Sequence, residues 1–405
     1  MRCITQPAYA AVLVAALAAC SAAGLPPGSS ASPNRASALG HAGILGPVVT
    51  SQFGGDIFGW DIDQNGSDGL ITETVTEGAG VVNAIETFDE TTGKITRVVQ
   101  KRKRVNGNVE PVVDAISGND VGIVDVERLE TKPFERNDYF DLMNPVTGEK
   151  ITGRSKPRNA LGIVPNFFTN NQASANQIMM ALYPEKGGDY RVGLYTYDTA
   201  ANAWGKRQQF STRRFLFQTG FPNYAAVDAT TKEAVIGYLG RPRYNPHESP
   251  TFYIMDAATG KHLRSFYGLG YGFPNGMAID PTTGVMCTTT TGDMDVEFYD
   301  LATGKGKAVQ IPRYNSAGAL TNGAAVAADP VNHLFLVAQR NSTFSPSGGS
   351  TVIVYDERGK LIEYIDGFNF LNQFTPVVPH LAVNPSNRTG YVNGPNLNQL
   401  QEFSY

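Results

Sequence analysis

The sequence predicts an all-β fold, a seven-bladed β-propeller of four-stranded blades whose last blade is completed by an N-terminal strand. Three observations carry that expectation. The segment "IETFDETTGKI" from Ile85 recurs as "FDLMNPVTGEKI" from Phe140, "LYTYDTAANAW" from Leu194, "FYIMDAATGKHL" from Phe252, "EFYDLATGKG" from Glu297 and "VIVYDERGKLI" from Val352. A second repeat interleaves with it: "FPNYAAVDATTKEAVIGY" from Phe221, "FPNGMAIDPTTGVMCTT" from Phe273, "LTNGAAVAADPVNHLFLVA" from Leu320 and "VPHLAVNPSNRTGYVNG" from Val378. No helical periodicity of useful length competes with either.

Each copy of the first repeat is an apolar run, an Asp or Asn, and a Thr-Gly turn. An Asp or Asn ending a strand bonds the backbone two residues on, and Gly takes the positive φ that closes a short hairpin. The anchors are Asp89, Asn144, Asp198, Asp256, Asp300 and Asp356, spaced 55, 54, 58, 44 and 56 residues apart. Two hairpins per period make a four-stranded unit, the signature of a propeller blade. Residues 41–405 divide into seven units of about 52, and eight units of ~45 fit the spacing less well. "NQLQEFSY" (Asn398 to Tyr405) reads as the third strand of a seventh blade, and "GILGPVVTSQ" (Gly43 to Gln52) as the spare strand that completes it. That closure removes an open edge.

The chain preceding the repeats is of another kind. "AYAAVLVAALAAC" (Ala8 to Cys20) is an apolar run too short to span a bilayer and reads as a secretory signal. Leu17-Ala18-Ala19-Cys20 resembles the bacterial lipobox, which implies lipidation of Cys20 and an exported protein held at the membrane, periplasmic or cell-surface. Residues 21–40, rich in Ser, Ala, Pro and Gly, read as a flexible tether. With Cys3 in the signal and Cys20 lipidated, Cys287 has no partner, so no disulfide is expected and Cys287 reads as a small buried hydrophobe. A formal net charge of −4 gives no reason to expect nucleic acid as a partner. The repeats resemble those of bacterial secreted β-propellers of the YVTN/NHL type, over about residues 41–405.

Propeller ligands meet the end of the channel where the inner strands begin. The residues entering those strands are Pro165-Asn166, Pro222-Asn223, Pro274-Asn275, Thr321-Asn322 and Pro379-His380, with Asp56 and Asp114 the nearest acids in the first two blades. One reading is a ring of carboxamides and an imidazole that binds a polar ligand or calcium. The other is a turn residue that recurs because the blades recur. "GGDIFGWDID" from Gly54 and "FPNGMAIDP" from Phe273 resemble segments of the gluconolactonase/senescence-marker-protein family, and that resemblance implies Asp56 and Asn275 as calcium ligands of a lactonase-like hydrolase. Its acid is Glu before Gly-Pro, whereas here Asp precedes Ile-Phe; that family has six blades, and its catalytic Asp has no clear counterpart.

"WDIDQNGSDGLITE" (Trp60 to Glu73) has the alternating acids of a calcium loop, but aligned with the repeat Asp63 becomes the end of an inner strand and Gln64 to Gly69 a turn. The long loop "YLGRPRYNPHESP" offers Arg241, Arg243, Tyr244 and His247 to an acidic or sugar-like ligand. "KRKR" (Lys101 to Arg104) falls on an expected outermost strand, as a solubilising edge or a contact to anionic headgroups. The five histidines form no HExxH pair, and GxSxG, Walker and CxxC motifs do not occur. The expectation is therefore a monomeric, non-catalytic envelope propeller that binds a protein, glycan or small molecule, with the calcium-dependent hydrolase as its rival.

Overall fold

The computed structural model describes residues 44–405 except 63–67, 78–79, 104–112, 115–121, 130–135, 144–175, 185–189, 199–202, 205–207, 212–221, 229, 239–250, 257–258, 260, 270–273, 291–294, 312–321, 341–349 and 369–380. Every described element is a strand. β1 (Leu45–Thr50) comes first. Sheet 1 contains β2 (Asp56–Ile62), β3 (Asp68–Glu77), β4 (Gly80–Asp89) and β5 (Ile95–Lys103). Sheet 2 contains β6 (Val113–Asp114), β7 (Gly122–Leu129) and β8 (Arg136–Met143). Sheet 3 contains β9 (Asn176–Pro184), β10 (Tyr190–Asp198), β11 (Ala203–Trp204) and β12 (Gln208–Ser211). Sheet 4 contains β13 (Pro222–Asp228), β14 (Glu233–Tyr238), β15 (Phe252–Asp256) and β16 (His262–Phe266). Sheet 5 contains β17 (Pro274–Asp280), β18 (Val285–Thr290), β19 (Asp295–Asp300) and β20 (Lys305–Gln310). Sheet 6 contains β21 (Asn322–Asp329), β22 (Leu334–Arg340), β23 (Ser350–Asp356) and β24 (Leu361–Phe368). Sheet 7 contains β25 (Leu381–Asn384), β26 (Thr389–Asn393) and β27 (Gln399–Ser404), and takes β1 as its fourth strand, antiparallel to β27.

The sheets touch through their first strands. β13 meets β17, β17 meets β21, β21 meets β25, β25 meets β2 and β2 meets β6. The core accordingly lies between sheets, in layers. Successive strand residues face opposite ways, so Leu334, Leu336 and Ala338 pack toward sheet 7 with Leu381, Val383 and Phe403, while Phe335 and Val337 pack toward sheet 5 with Cys287, Val296 and Phe298. Sheets 4 and 5 share Val235, Ile254, Met277 and Tyr299. Val49 of β1 enters the layer between sheets 7 and 1, beside Trp60 and Tyr391. Cys287 is fully buried with a free thiol, as its apolar setting implies; burial pushes that thiol up, and Glu297 adds to the effect.

The turn chemistry read from the repeats is present, with one correction. In the Thr-Gly turns the Asp side chain accepts from a backbone N–H three residues on rather than two: Thr92 N–H to Asp89 at 2.7 Å, Thr259 N–H to Asp256 at 2.7 Å and Thr303 N–H to Asp300 at 3.0 Å. The hairpin loop has four residues, Leu301 to Gly304 between the paired Asp300 and Lys305, and the glycine that closes it stands at φ 64° for Gly93 and 66° for Gly304. The two-residue bond occurs in the turns that end the first strands, as from Thr230 N–H to Asp228 at 2.8 Å and Thr282 N–H to Asp280 at 2.8 Å.

The side chains that end the first strands do a second thing. Asp280, Asp329 and Asn384 are fully buried, and each reaches the next sheet. Asp280 Oδ2 lies 2.9 Å from His333 Nδ1, the Tyr405 hydroxyl donates to Asp329 Oδ2 at 3.0 Å, and Asn384 Nδ2 donates to Glu90 Oε2 at 3.0 Å. Sheets 4 and 5 are tied differently. Arg264 donates to both oxygens of Glu233, at 2.8 and 2.6 Å, and to the carbonyl of Leu301 at 2.9 Å. Glu233 holds the guanidinium further in its charged form. Arg264→Met keeps the packing stem and removes that fork; the expected loss is about 1–3 kcal/mol in urea unfolding, since charge-assisted bonds of this kind are worth about that much.

Candidate functional site

The antiparallel order gives the molecule two unlike rims. At one rim, among the described residues, lie the turns after Asp89, Asp228, Asp280, Asp300, Asp329, Asp356 and Asn384, short and capped by those side chains. At the other lie the starts of the first strands, Asp56 of β2, Pro222 of β13, Pro274 of β17 and Asn322 of β21 among them. Of the residues singled out from the sequence, Asp56, Asn223, Asn275 and Asn322 belong to this second, open rim.

Asp56 is the first residue of β2 and is exposed. Asn223, Asn275 and Asn322 lie near the starts of β13, β17 and β21, and Asp114 ends β6. Asn166, His380, Arg241, Arg243, Tyr244, His247 and Cys20, and the stretch 63–67 of the acidic loop, lie outside the described residues. Lys101, Arg102 and Lys103 are on β5, the outermost strand of sheet 1.

The register sorts these residues into two levels. Four first strands carry the same β-bulge against their neighbours: the pairing skips Phe58, Asn223, Asn275 and Ala324. Each skipped residue stands five before its turn acid, Asp63, Asp228, Asp280 or Asp329. Asn223 and Asn275 are therefore equivalent bulge residues. Asp56 and Asn322 stand two residues earlier, about 7 Å nearer the rim along the strand. The repeated Pro-Asn motif hides this offset, because "TNGAAVAAD" holds two more residues between its Asn and Asp than "PNGMAID". A bulge re-aims side chains and tightens the local twist, and here it recurs where the first strands approach one another. Gly276 shows how close that approach is: a Cβ on it would stand 2.7 Å from the backbone nitrogen of Val326 and 2.9 Å from Ala325 Cα.

Beside Asp56 lies an acid pair that the sequence reading did not single out. Glu73 and Glu86 are both fully buried. The segment between β1 and β2 folds over them and points its amides inward. Gln52 N–H donates to Glu86 Oε2 at 3.0 Å, Phe53 N–H to Glu73 Oε1 at 3.3 Å and Gly55 N–H to Glu73 Oε2 at 2.8 Å. Gly54 takes φ 70°, which lets the segment turn there without a Cβ penalty. Burial pushes the Glu86 carboxyl up to about 7, with the Gln52 amide opposing and the neighbouring Glu73 adding. Sheet 5 repeats the device. Buried Glu297 accepts from the Tyr299 hydroxyl, and that hydroxyl accepts from Leu269 N–H at 2.7 Å, on the segment leading into β17. A signal for both existed: Glu86 and Glu297 each stand three residues before a turn Asp, in otherwise apolar strands. These acids anchor incoming chain and are closed to a substrate. Among the described residues no group of three or more His, Cys, Asp or Glu side chains is placed to hold a metal ion.

No protein-family model matches the sequence, and no curated protein matches it. Solved structures do. A chain in a crystal structure of a mitotic checkpoint complex superposes with a TM-score of 0.55 at 11% identity, covering 94% of this chain and 96% of that one. The Cps50 (Swd1) β-propeller domain of Myceliophteria thermophila superposes with a TM-score of 0.53 at 11% identity, covering 89% of this chain and 99% of that one. The fold is a β-propeller. At such identity the similarity concerns the fold alone, so the two rims must be read from this chain's own residues. Among the described residues the propeller's turn rim is closed by capped hairpins, and its open rim carries the exposed Asp56.

Proposed function

We propose that the chain is a non-catalytic binding scaffold, a propeller of seven four-stranded blades closed by β1, which takes a partner on its open rim. The observation that supports this is the asymmetry of the rims. The turn acids are spent on caps, and the buried Asp280 and Asp329 also on ties between sheets, whereas the open rim bears the exposed Asp56. Arg241, Arg243 and Tyr244 would add their side chains to that contact. A protein is the favoured partner, with a glycan or small ligand as the other candidates. One structural neighbour belongs to a multi-protein complex, in line with that preference. With Cys20 lipidated and residues 21–40 as tether, the scaffold would work at the outside of a bacterial membrane.

Two measurements test the proposal. Cys20→Ser is expected to release the full chain from the membrane fraction into the soluble one; retention in the membrane overturns the anchor. A lactone panel assayed with and without excess chelator addresses catalysis: turnover that chelator abolishes replaces the scaffold reading with the calcium-dependent hydrolase. The expected result is no metal-dependent turnover, and a melting temperature that calcium does not move. A single calcium ion would have to bridge Asp56 and Asn275 across the two levels of the bulge register, which counts against that rival.

A further inference from the structure

β1 is lightly held for a strand that completes a sheet. Only Val49 of its six residues is buried, its register with β27 shifts between Leu45 and Val48, and Ile44 just before it is 75% exposed. Two buried glutamates flank it. Glu402, on the partner strand β27, packs directly against Gly46, where a Cβ would stand 2.6 Å from the carboxyl carbon. Its Oε2 is buried and has no hydrogen-bond partner among the described residues. Past the other end of β1, Glu86 holds Gln52 as described. We propose that β1 and the segment 51–55 form a pH-sensitive latch on the ring, seated while Glu86 and Glu402 are protonated and loosened when they ionise.

The surroundings make ionisation unfavourable at both places. Facing Glu86 are the buried Glu73 from β3 and the Gln52 amide, and among the described residues no cation acts on it. Facing Glu402 is Tyr391 from β26, whose hydroxyl donates to the Glu90 carbonyl; Glu90 and Asp89 add negative charge around that tyrosine. Burial raises Glu402 from the usual 4.5 to about 7, only partly offset by the Tyr391 hydroxyl. Glu86 is raised to about the same value. A carboxyl raised in the folded state stabilises it fully below its unfolded value, and that stability drains away as pH climbs from 4.5 through about 7. The lightly held strand is where such a loss is felt first, and its departure would bare the edge of β27.

The latch depends on the pairing of β1 with β27 and on neither the ligand nor the lipid, so it can fail or hold independently of the proposed function. The test is hydrogen exchange at the amides of β1, residues 51–55 and β27 in the full chain from pH 5 to pH 8, corrected for the intrinsic rate. Opening that frees one carboxyl should grow by tenfold or more, up to about 70-fold, while the strands of sheets 5 and 6 change little. The double variant E86Q/E402Q should show a flat profile at the protected level. Gly46→Ala should open β1 already at pH 5, by displacing Glu402. A flat wild-type profile, a double variant with the wild-type slope, or Gly46→Ala that exchanges like wild type at pH 5 overturns the latch. Should the double variant not fold, the wild-type profile and Gly46→Ala decide the matter.

Discussion

Gly276→Ala is expected to destabilise the propeller by about 2–4 kcal/mol, a large effect for the addition of one methyl group. The new Cβ would meet backbone atoms of β21, Val326 N at 2.7 Å and Ala325 Cα at 2.9 Å. A flexible side chain could turn away; two strands fixed in their own ladders cannot. β17 and β21 must separate, and the layer of Phe335, Val337, Phe298 and Cys287 behind them must loosen with them. The comparison that isolates the cause is Gly284→Ala. Gly284 sits at φ 68° with nothing near the position a Cβ would take, so alanine there incurs backbone strain alone, about 1–2 kcal/mol. Urea unfolding of both variants checks the ranking. If Gly276→Ala is as stable as wild type, the first strands are not packed as closely as described. The result also bears on function, because the Gly of "FPNGMAIDP" then needs no ligand to account for it.

The second large effect belongs to Asp329. This carboxylate is fully buried, and it accepts from Val331 N–H at 3.0 Å, Asn332 N–H at 2.9 Å, Asn332 Nδ2 at 2.7 Å and the Tyr405 hydroxyl at 3.0 Å. Asp329→Ala leaves those donors unsatisfied and cuts the tie to sheet 7. The expected loss is about 2–4 kcal/mol, because the buried Tyr405 hydroxyl and three partly buried turn donors lose a charged partner together. Tyr405→Phe removes only the inter-sheet bond and should cost about 1–2 kcal/mol. In a double-mutant cycle the two changes should couple by at least about 0.5 kcal/mol, since both delete the same bond. Additive losses would show that the hydroxyl and the carboxylate do not act on each other.

The repeats made the architecture legible because turn chemistry is local. Asp and Thr-Gly at the end of an apolar run specify a hairpin whatever surrounds them, and a hairpin repeated at near-constant spacing leaves few folds open. The spare strand was legible for a related reason: "NQLQEFSY" reads as the third strand of a four-stranded unit, "GILGPVVTSQ" is a β-branched run outside the repeats, and β1 does pair with β27. The candidate site was less legible. Asn223, Asn275 and Asn322 looked equivalent because each follows Pro or Thr at a strand entry. Equivalence in a sheet is set by pairing register, and the bulge that falls on Asn223 and Asn275 falls on Ala324 in β21, two residues past Asn322.

By itself, then, the sequence determined the strand content, the turn caps, the two kinds of hairpin and the pairing of the chain's two ends in one sheet. Each follows from residue type at short range or from the count of strands. Only the tertiary structure decided that Asp280, Asp329 and Asn384 tie neighbouring sheets, that Glu86 and Glu297 anchor incoming chain, and that Asp56 stands at a different level from Asn275. Those facts depend on which residues meet across sheets. A buried carboxylate is set by the amides and hydroxyls that surround it, and those come from segments tens to hundreds of residues away.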